Sequence, residues 1–138
     1  MEIKAYNYLP DEAMEIRNRV FVMEQGFTDI PDEVDRKALH IILWDGDEAV
    51  ATSRLVRLDG DEYLVGRIAV LRERRGGGLG RIVVGGAEGA ARERGASRIV
   101  VHAQKHACGF YESLGYLPFG EEDVVEGREH VWMAKSLK

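Results

Sequence analysis

Between an apolar run ending at Leu71 and a helical pattern starting at Leu79, the chain places Arg75-Gly76-Gly77-Gly78-Leu79-Gly80, with four glycines in six residues. Such a turn brings its backbone close to a ligand, because no Cβ intervenes and positive φ is open to it. Set between a strand and a helix, it exposes main-chain N–H groups beside the unsatisfied donors and favourable dipole of a helix start, which makes an anion site. Arg75 and Arg81 add charge-assisted contacts. The formal net charge is −5, yet Arg72, Arg74, Arg75 and Arg81 cluster here with only Glu73 opposing them. An acidic protein with one basic knot suits a localised anionic ligand. It does not suit nucleic acid or an anionic membrane, which select for a basic surface.

Two commoner phosphate patterns fail. A Walker loop, G-x-x-x-x-G-K-S/T, needs a Gly-Lys pair that does not follow these glycines. A dinucleotide fingerprint, G-x-G-x-x-G, meets Arg81 or Val83 where its last glycine belongs. Gly85, Gly86 and Gly89 each weaken a helix by about 1 kcal/mol relative to alanine and are expected at a close helix–sheet contact, with no ligand role.

Around the turn, hydrophobic spacing predicts a layered chain. Residues 3–8 read as a first strand, and Pro10-Asp11-Glu12 opens a helix with its acids at the favourable end. Ala13, Ile16, Val20 and Met23 form that helix's apolar face. Residues 26–36 are polar and proline-broken, a loop or short helix. Strands are expected at 40–44, 50–58 and 63–71, joined at Asp45-Gly46 and Asp59-Gly60 as an antiparallel meander. Leu79, Ile82, Val83, Gly86, Ala87, Ala90 and Ala91 make a stripe of period near 3.6 that stops at Gly95. A buried strand at 99–103, a helix at about 107–114 and strands at 117–125 and 130–134 complete the order, with a Glu126-Gly127 turn.

The chain's 138 residues suit one domain over 1–138. No run approaches the ~18 apolar residues of a membrane span, and the start lacks signal-peptide character, so no membrane association is expected. The single cysteine, Cys108, excludes an internal disulfide and suits a reducing compartment, so a cytoplasmic location is expected.

The turn fits R-x-x-G-x-G between strand and helix, and here the sequence resembles the GNAT superfamily of N-acetyltransferases, whose acetyl-CoA pyrophosphate loop is Q/R-x-x-G-x-G/A. The preceding Val65-Gly66-Arg67-Ile68-Ala69-Val70 looks like the family's fourth strand. Gln104-Lys105-His106-Ala107-Cys108-Gly109-Phe110-Tyr111-Glu112-Ser113-Leu114-Gly115-Tyr116 looks like its N-x-x-A-x-x-F-Y-x-x-x-G-F segment, with Gln104 in place of the usual Asn. Val20-Phe21-Val22-Met23-Glu24-Gln25, Asp35, His40, Ala103-Gln104 and Glu129-His130-Val131-Trp132-Met133 are similar to the ElaA-like branch.

The resemblance implies a mixed α/β (α+β) fold, a central mostly antiparallel sheet of six to seven strands flanked by about four helices. It implies acetyl-CoA as co-substrate and an amine-bearing acceptor, and it allows a homodimer. The implied cofactor-binding residues are Ile68, Ala69, Val70, Arg75, Gly76, Gly77, Gly78, Leu79, Gly80, Gln104 and Phe110, with Ile68 and Val70 using their main chain on the pantetheine arm.

Amide formation by such an enzyme needs a neutral amine, a polarised thioester and a proton for the leaving thiolate. By resemblance Tyr111 is the general acid; a phenol of ordinary pKa about 10 is close to a thiol in acidity. Glu24 lies in the family's acceptor region and is one candidate base. His40, His130 and water are the others, because histidine titrates near neutrality. Arg54 and Arg67, on adjacent strands, either line the acceptor cleft or are solvated. The acidic run from Glu24 to Asp35 is a solvated loop or a lure for a cationic amine. No metal is expected, since His102 and His106 are four apart but not on one helix. Cys108 reads as a buried thiol. Two other classes remain: an acyl-CoA sensor without turnover, which would need the turn but not Tyr111, and an anion-binding partner domain. The acceptor's identity, and acyl groups other than acetyl, are left open.

Overall fold

The structure, a computed structural model, describes residues 1–138. Its element order is β1 (Glu2–Tyr6), α1 (Asp11–Arg17), a π-helical segment (Asn18–Glu24), α2 (Glu33–Lys37), β2 (Leu39–Asp45), β3 (Glu48–Arg57), β4 (Glu62–Val70) and a 3₁₀ turn (Arg72–Arg74). There follow α3 (Leu79–Glu93), β5 (Arg98–Gln104), a 3₁₀ turn (Lys105–Ala107), α4 (Cys108–Ser113), β6 (Leu117–Pro118), β7 (Asp123–Val125) and β8 (Arg128–Ser136). The eight strands form one sheet in the order β1-β2-β3-β4-β5-β8-β6, with β7 on β8. Every pairing is antiparallel except β4 with β5, which α3 links by a crossover.

The meander β2-β3-β4 forms as its turns predict, with Gly46 and Gly60 at positive φ. The strand expected at 117–125 is two strands. Pro118 has no N–H to extend the ladder, and Gly120 adopts φ 69°, so the chain breaks from the sheet before β7 rejoins it. The first helix also differs from its expected face. Ala13, Ile16 and Val20 are buried, but Met23 lies exposed, because beyond Arg17 the helix widens to π geometry and its face rotates.

Two layers cover the sheet. α3 buries Leu79, Val83, Val84, Ala87, Ala90 and Ala91 in a core shared with Ile41, Val65, Ile99, Val101 and Tyr111. Ile82, expected in that stripe, is exposed. On the other face Ile16 and Val20 pack on Ala69 and Leu71. A Cβ on Gly86 would stand 3.2 Å from Ile3 and Ile41 side chains, so this glycine does permit close helix–sheet contact. Gly85 and Gly89 have no atom within 4 Å of such a Cβ, so close packing does not explain them.

The sheet opens at its centre. β4 and β5 pair only from Glu62↔Arg98 to Val65↔Val101, yet β4 runs to Val70 and β5 to Gln104. The cause lies on β4's other edge. Thr52 faces Ala69 and Arg54 faces Gly66, leaving Arg67 and Ile68 opposite Ser53 alone. That is a bulge, with Arg67 at φ 49°; a bulge bends its strand and here turns β4 away from β5.

Candidate functional site

A cavity of about 280 Å³ occupies the opening between the strands. Gly66, Arg67 and Ile68 line it from β4, and Val101, His102 and Gln104 from β5. Tyr111 of α4 and His130 of β8 reach it, and Phe21, Gln25, Phe27, Thr28 and Asp29 come from the π-helical segment and the loop after it.

Beside this opening the glycine turn leads into α3. Gly76 and Gly78 adopt φ 88° and 80°, and Gly78 is the residue before the helix. The N–H groups of Gly76 through Arg81 have no acceptor within the chain. Gly76, Gly77 and Gly78 have open space where a Cβ would be, so free donors and a bare backbone suit a diphosphate. Leu79 is buried in the core and anchors the turn. A Cβ on Gly80 would meet the Phe110 ring at 3.2 Å, which packs the aromatic end of α4 against the helix start.

Arg75 is held in place. Its guanidinium donates to Glu24 at 2.5 and 2.8 Å, and its Nε and Nη2 donate to the Val70 carbonyl at 3.1 and 2.9 Å. It thereby caps the end of β4. The same bonds hold Glu24: the Arg75 hydrogen bond lowers its pKa, and its carboxylate is not among the groups lining the cavity. Ile68 lines the cavity, whereas Ala69 points into the core on the α1 side. Gln104 lines the cavity, donates from Nε2 to Gln25 Oε1 at 2.9 Å, and contacts the His106 ring through Oε1.

Tyr111 is 7% exposed, with Phe110 and Tyr116 edge-on at ring-centroid distances of 5.0 and 5.9 Å. Its hydroxyl makes no hydrogen bond within the chain and is not sealed from solvent, and the side chain lines the cavity. Burial, with a smaller contribution from Cys108, raises its pKa, so it stays a proton donor across the neutral range. Cys108 is half-buried and burial raises its thiol too, the opposite of an activated thiolate.

The histidines separate by geometry. His130 Nδ1 lies 2.9 Å from the Arg128 carbonyl, which can only accept, so Nδ1 carries the hydrogen and the lone pair of the uncharged ring falls on Nε2. His102 stacks on Trp132 and contacts Asp123 at 2.6 Å. His40 is fully buried with Nε2 donating to the Asp35 carbonyl, and desolvation lowers its pKa; it does not reach the cavity.

The acidic run is neither wholly solvated nor free to attract an amine. Asp29 and Asp35 are buried against Arg17, which is 1% exposed. Arg17 donates to Asp29 at 3.0 and 2.8 Å and to Asp35 at 2.8 and 3.3 Å. Burial opposes its charge, but the carboxylates outweigh that and raise its pKa. Arg54 donates to Asp35 at 3.1 Å and is buried away from the cavity, so it is neither solvated nor in the cleft. Arg67 does line the cavity and donates from Nε to Asp29 at 3.3 Å. The sequence does carry a signal for Arg17: its spacing from Ala13 and Val20 puts it on the apolar face of α1.

Comparison with known proteins agrees with this geometry. The family model described as Acetyltransferase (GNAT) family matches residues 6–116. A Bacillus subtilis (strain 168) protein bearing an acetyltransferase name is 40% identical over 128 residues, covering 89% of this chain and 86% of that one. Protein ElaA of Escherichia coli (strain K12) is 30% identical over 130 residues, covering 90% and 85%. A crystal structure from Lactobacillus plantarum, described as an N-acetyltransferase, superposes with a TM-score of 0.91 at 27% identity, covering 99% and 98% of the two chains. No helix is long and apolar enough to cross a membrane. The opened sheet, the bare glycine turn and these relatives agree: the chain belongs to the GNAT family of acetyltransferases and is an acyltransferase.

Proposed function

We propose that the protein moves an acetyl group from acetyl-CoA directly to a primary amine, in the cavity between β4 and β5. The observation that carries this reading is Tyr111, a buried phenol with no partner of its own beside a strand opening that ends at a bare glycine turn. Bound acetyl-CoA supplies an activated acetyl group as a thioester. The N–H groups of Gly76 to Arg81 hold the diphosphate, and the free edge of β4 at Ile68 aligns the arm that leads to the sulfur.

The residues then divide the proton work. The amine nitrogen forms a bond to the thioester carbon while the carbon–sulfur bond breaks. Tyr111 gives its proton to the departing sulfur. His130, the one of Glu24, His40 and His130 that lines the cavity, takes the proton the amine loses on Nε2, directly or through water. A raised phenol pKa does not spoil the acid, because the same low-dielectric site also raises the thiolate's proton affinity.

Saturating acetyl-CoA should raise the melting temperature by linkage. An amine panel read by free CoA release should find an acceptor. Tyr111→Phe should lower kcat by about 10²-fold or more with acetyl-CoA affinity nearly intact. Unchanged turnover would remove the acid role, no thermal shift would remove the cofactor, and binding without turnover on every amine would leave a sensor.

A further inference from the structure

We propose that the acceptor amine carries a carboxylate, and that Arg67 receives it; the inference rests on acyl transfer taking place in the β4–β5 cavity. Arg67 is the only lysine or arginine lining that cavity. It stands at the β4 bulge with φ 49°, a backbone conformation that a non-glycine side chain keeps only where the surroundings impose it, and such positions gather at ligand sites. Its side chain is 37% exposed, so its charge is neither buried nor freely solvated.

The guanidinium keeps one edge free. Nε donates to Asp29 Oδ1, while Nη1 and Nη2 donate to nothing in the chain. Those two nitrogens form one edge of the planar fork that matches a carboxylate's two oxygens. Asp29 does not compete as the ligand's partner, because Arg17 engages both its oxygens from within the core. Glu126, the other acid lining the cavity, accepts the Thr28 N–H at 3.0 Å. Both carboxylates disfavour a doubly charged phosphate more than a singly charged carboxylate, which selects between the two anions a guanidinium fork accepts. An acceptor holding an ammonium and a carboxylate would set its carboxylate on Arg67 and its amine toward His130.

The test uses ω-amino acids with two to five methylenes, the matching ω-amino amides and O-phosphoethanolamine, assayed by free CoA release with wild type and Arg67→Gln. Wild type should favour the best acid over its amide by about tenfold or more in kcat/KM. Arg67→Gln should erase that preference through KM, bringing the acid-to-amide ratio of kcat/KM to within about threefold of unity whatever the absolute rates. Arg67→Lys, which keeps charge without the fork, should fall between. Equal rates on acid and amide in wild type, a preference that survives Arg67→Gln, or O-phosphoethanolamine surpassing every amino acid would each overturn the inference. Calorimetric titration of the same acids into CoA-saturated protein gives a second readout independent of turnover. Arg67-dependent binding without turnover on any amine supports the anion site while refuting catalysis; no binding difference between wild type and Arg67→Gln refutes the anion site itself.

Discussion

Asp35→Asn is the most informative single substitution in the buried ion network. Asp35 Oδ1 accepts from Arg17 at 2.8 Å and Arg54 at 3.1 Å, while Oδ2 accepts from Arg17 at 3.3 Å and the Asp32 N–H at 3.1 Å. Asparagine keeps the shape, but in either orientation its NH₂ faces Arg17, donor against donor. With the amide oxygen at the Oδ1 place it still accepts from Arg17 and Arg54, but the counter-charge is gone: Arg17 keeps one carboxylate, Asp29, and Arg54 keeps only a 3.5 Å approach to Asp32. Breaking a buried pair from one side costs about 3–5 kcal/mol. At about 2.1 cal/mol/K of unfolding entropy per residue, 4 kcal/mol is a fall of about 14 °C in Tm for a chain of this length. The partners lower the Asp35 pKa against the opposing effect of burial. A depressed folded pKa contributes stability in full above the unfolded value of about 3.9, and that stability is lost as pH falls toward the folded pKa. Calorimetric melting should therefore show a constant gap between wild type and Asp35→Asn above about pH 5, narrowing by about 1.4 kcal/mol per pH unit below about pH 4. Glu33→Gln, which breaks the exposed pair with Arg36, should cost under about 1 kcal/mol. A Tm loss under about 3 °C for Asp35→Asn, or a gap indifferent to acid, would refute the reasoning.

Gly85→Ala and Gly86→Ala form a matched pair on α3: the first meets open space and should stabilise by about 0.5–1 kcal/mol. The second drives its methyl to 3.2 Å from Ile3 and Ile41 and should destabilise by about 1–3 kcal/mol in denaturant melts, so equal effects would contradict the packing. Glu24→Gln should leave kcat within about threefold, because Arg75 occupies that carboxylate; a loss of about 100-fold would restore Glu24 as a base. Gly78→Val forces a β-branched residue to φ 80° and should weaken acetyl-CoA binding in calorimetry, while far-UV dichroism stays near wild type.

The strand, glycine turn and helix proposed for the cofactor were legible because they are local. A glycine turn, the strand before it and the helix after it are contiguous from Val65 to Gly95, so spacing along the chain carries the geometry. The side proposed for the acceptor resisted for the opposite reason. Arg17 meets Asp29 and Asp35 at separations of 12 and 18 residues, and Thr28 meets Glu126 across 98, distances over which side-chain periodicity says nothing. The bulge at Arg67 left no signal either, since a strand with one extra residue reads as a strand. Gly85 and Gly89 were misread because helix propensity identifies a glycine's cost without saying what, if anything, lies opposite.

The proposed acceptor side is held from outside its own loop. Residues 26–32 have no regular structure, yet they bring Phe27, Thr28 and Asp29 to the cavity. Their order comes from outside: Arg17 fixes Asp29 from the core, and Arg128 bonds the Gln25 carbonyl while its guanidinium lies 4.5 Å from the centre of the Phe27 ring. A loop without its own hydrogen-bonded repeat has low local stability unless buried contacts pin it. If the acceptor binds as proposed, its recognition is coupled to the buried ion network through Asp29, to which both Arg17 and Arg67 donate. A change at Arg17, inside α1 and touching no ligand, should then raise the acceptor's KM more than that of acetyl-CoA, because the glycine turn is anchored separately by Leu79 in the main core.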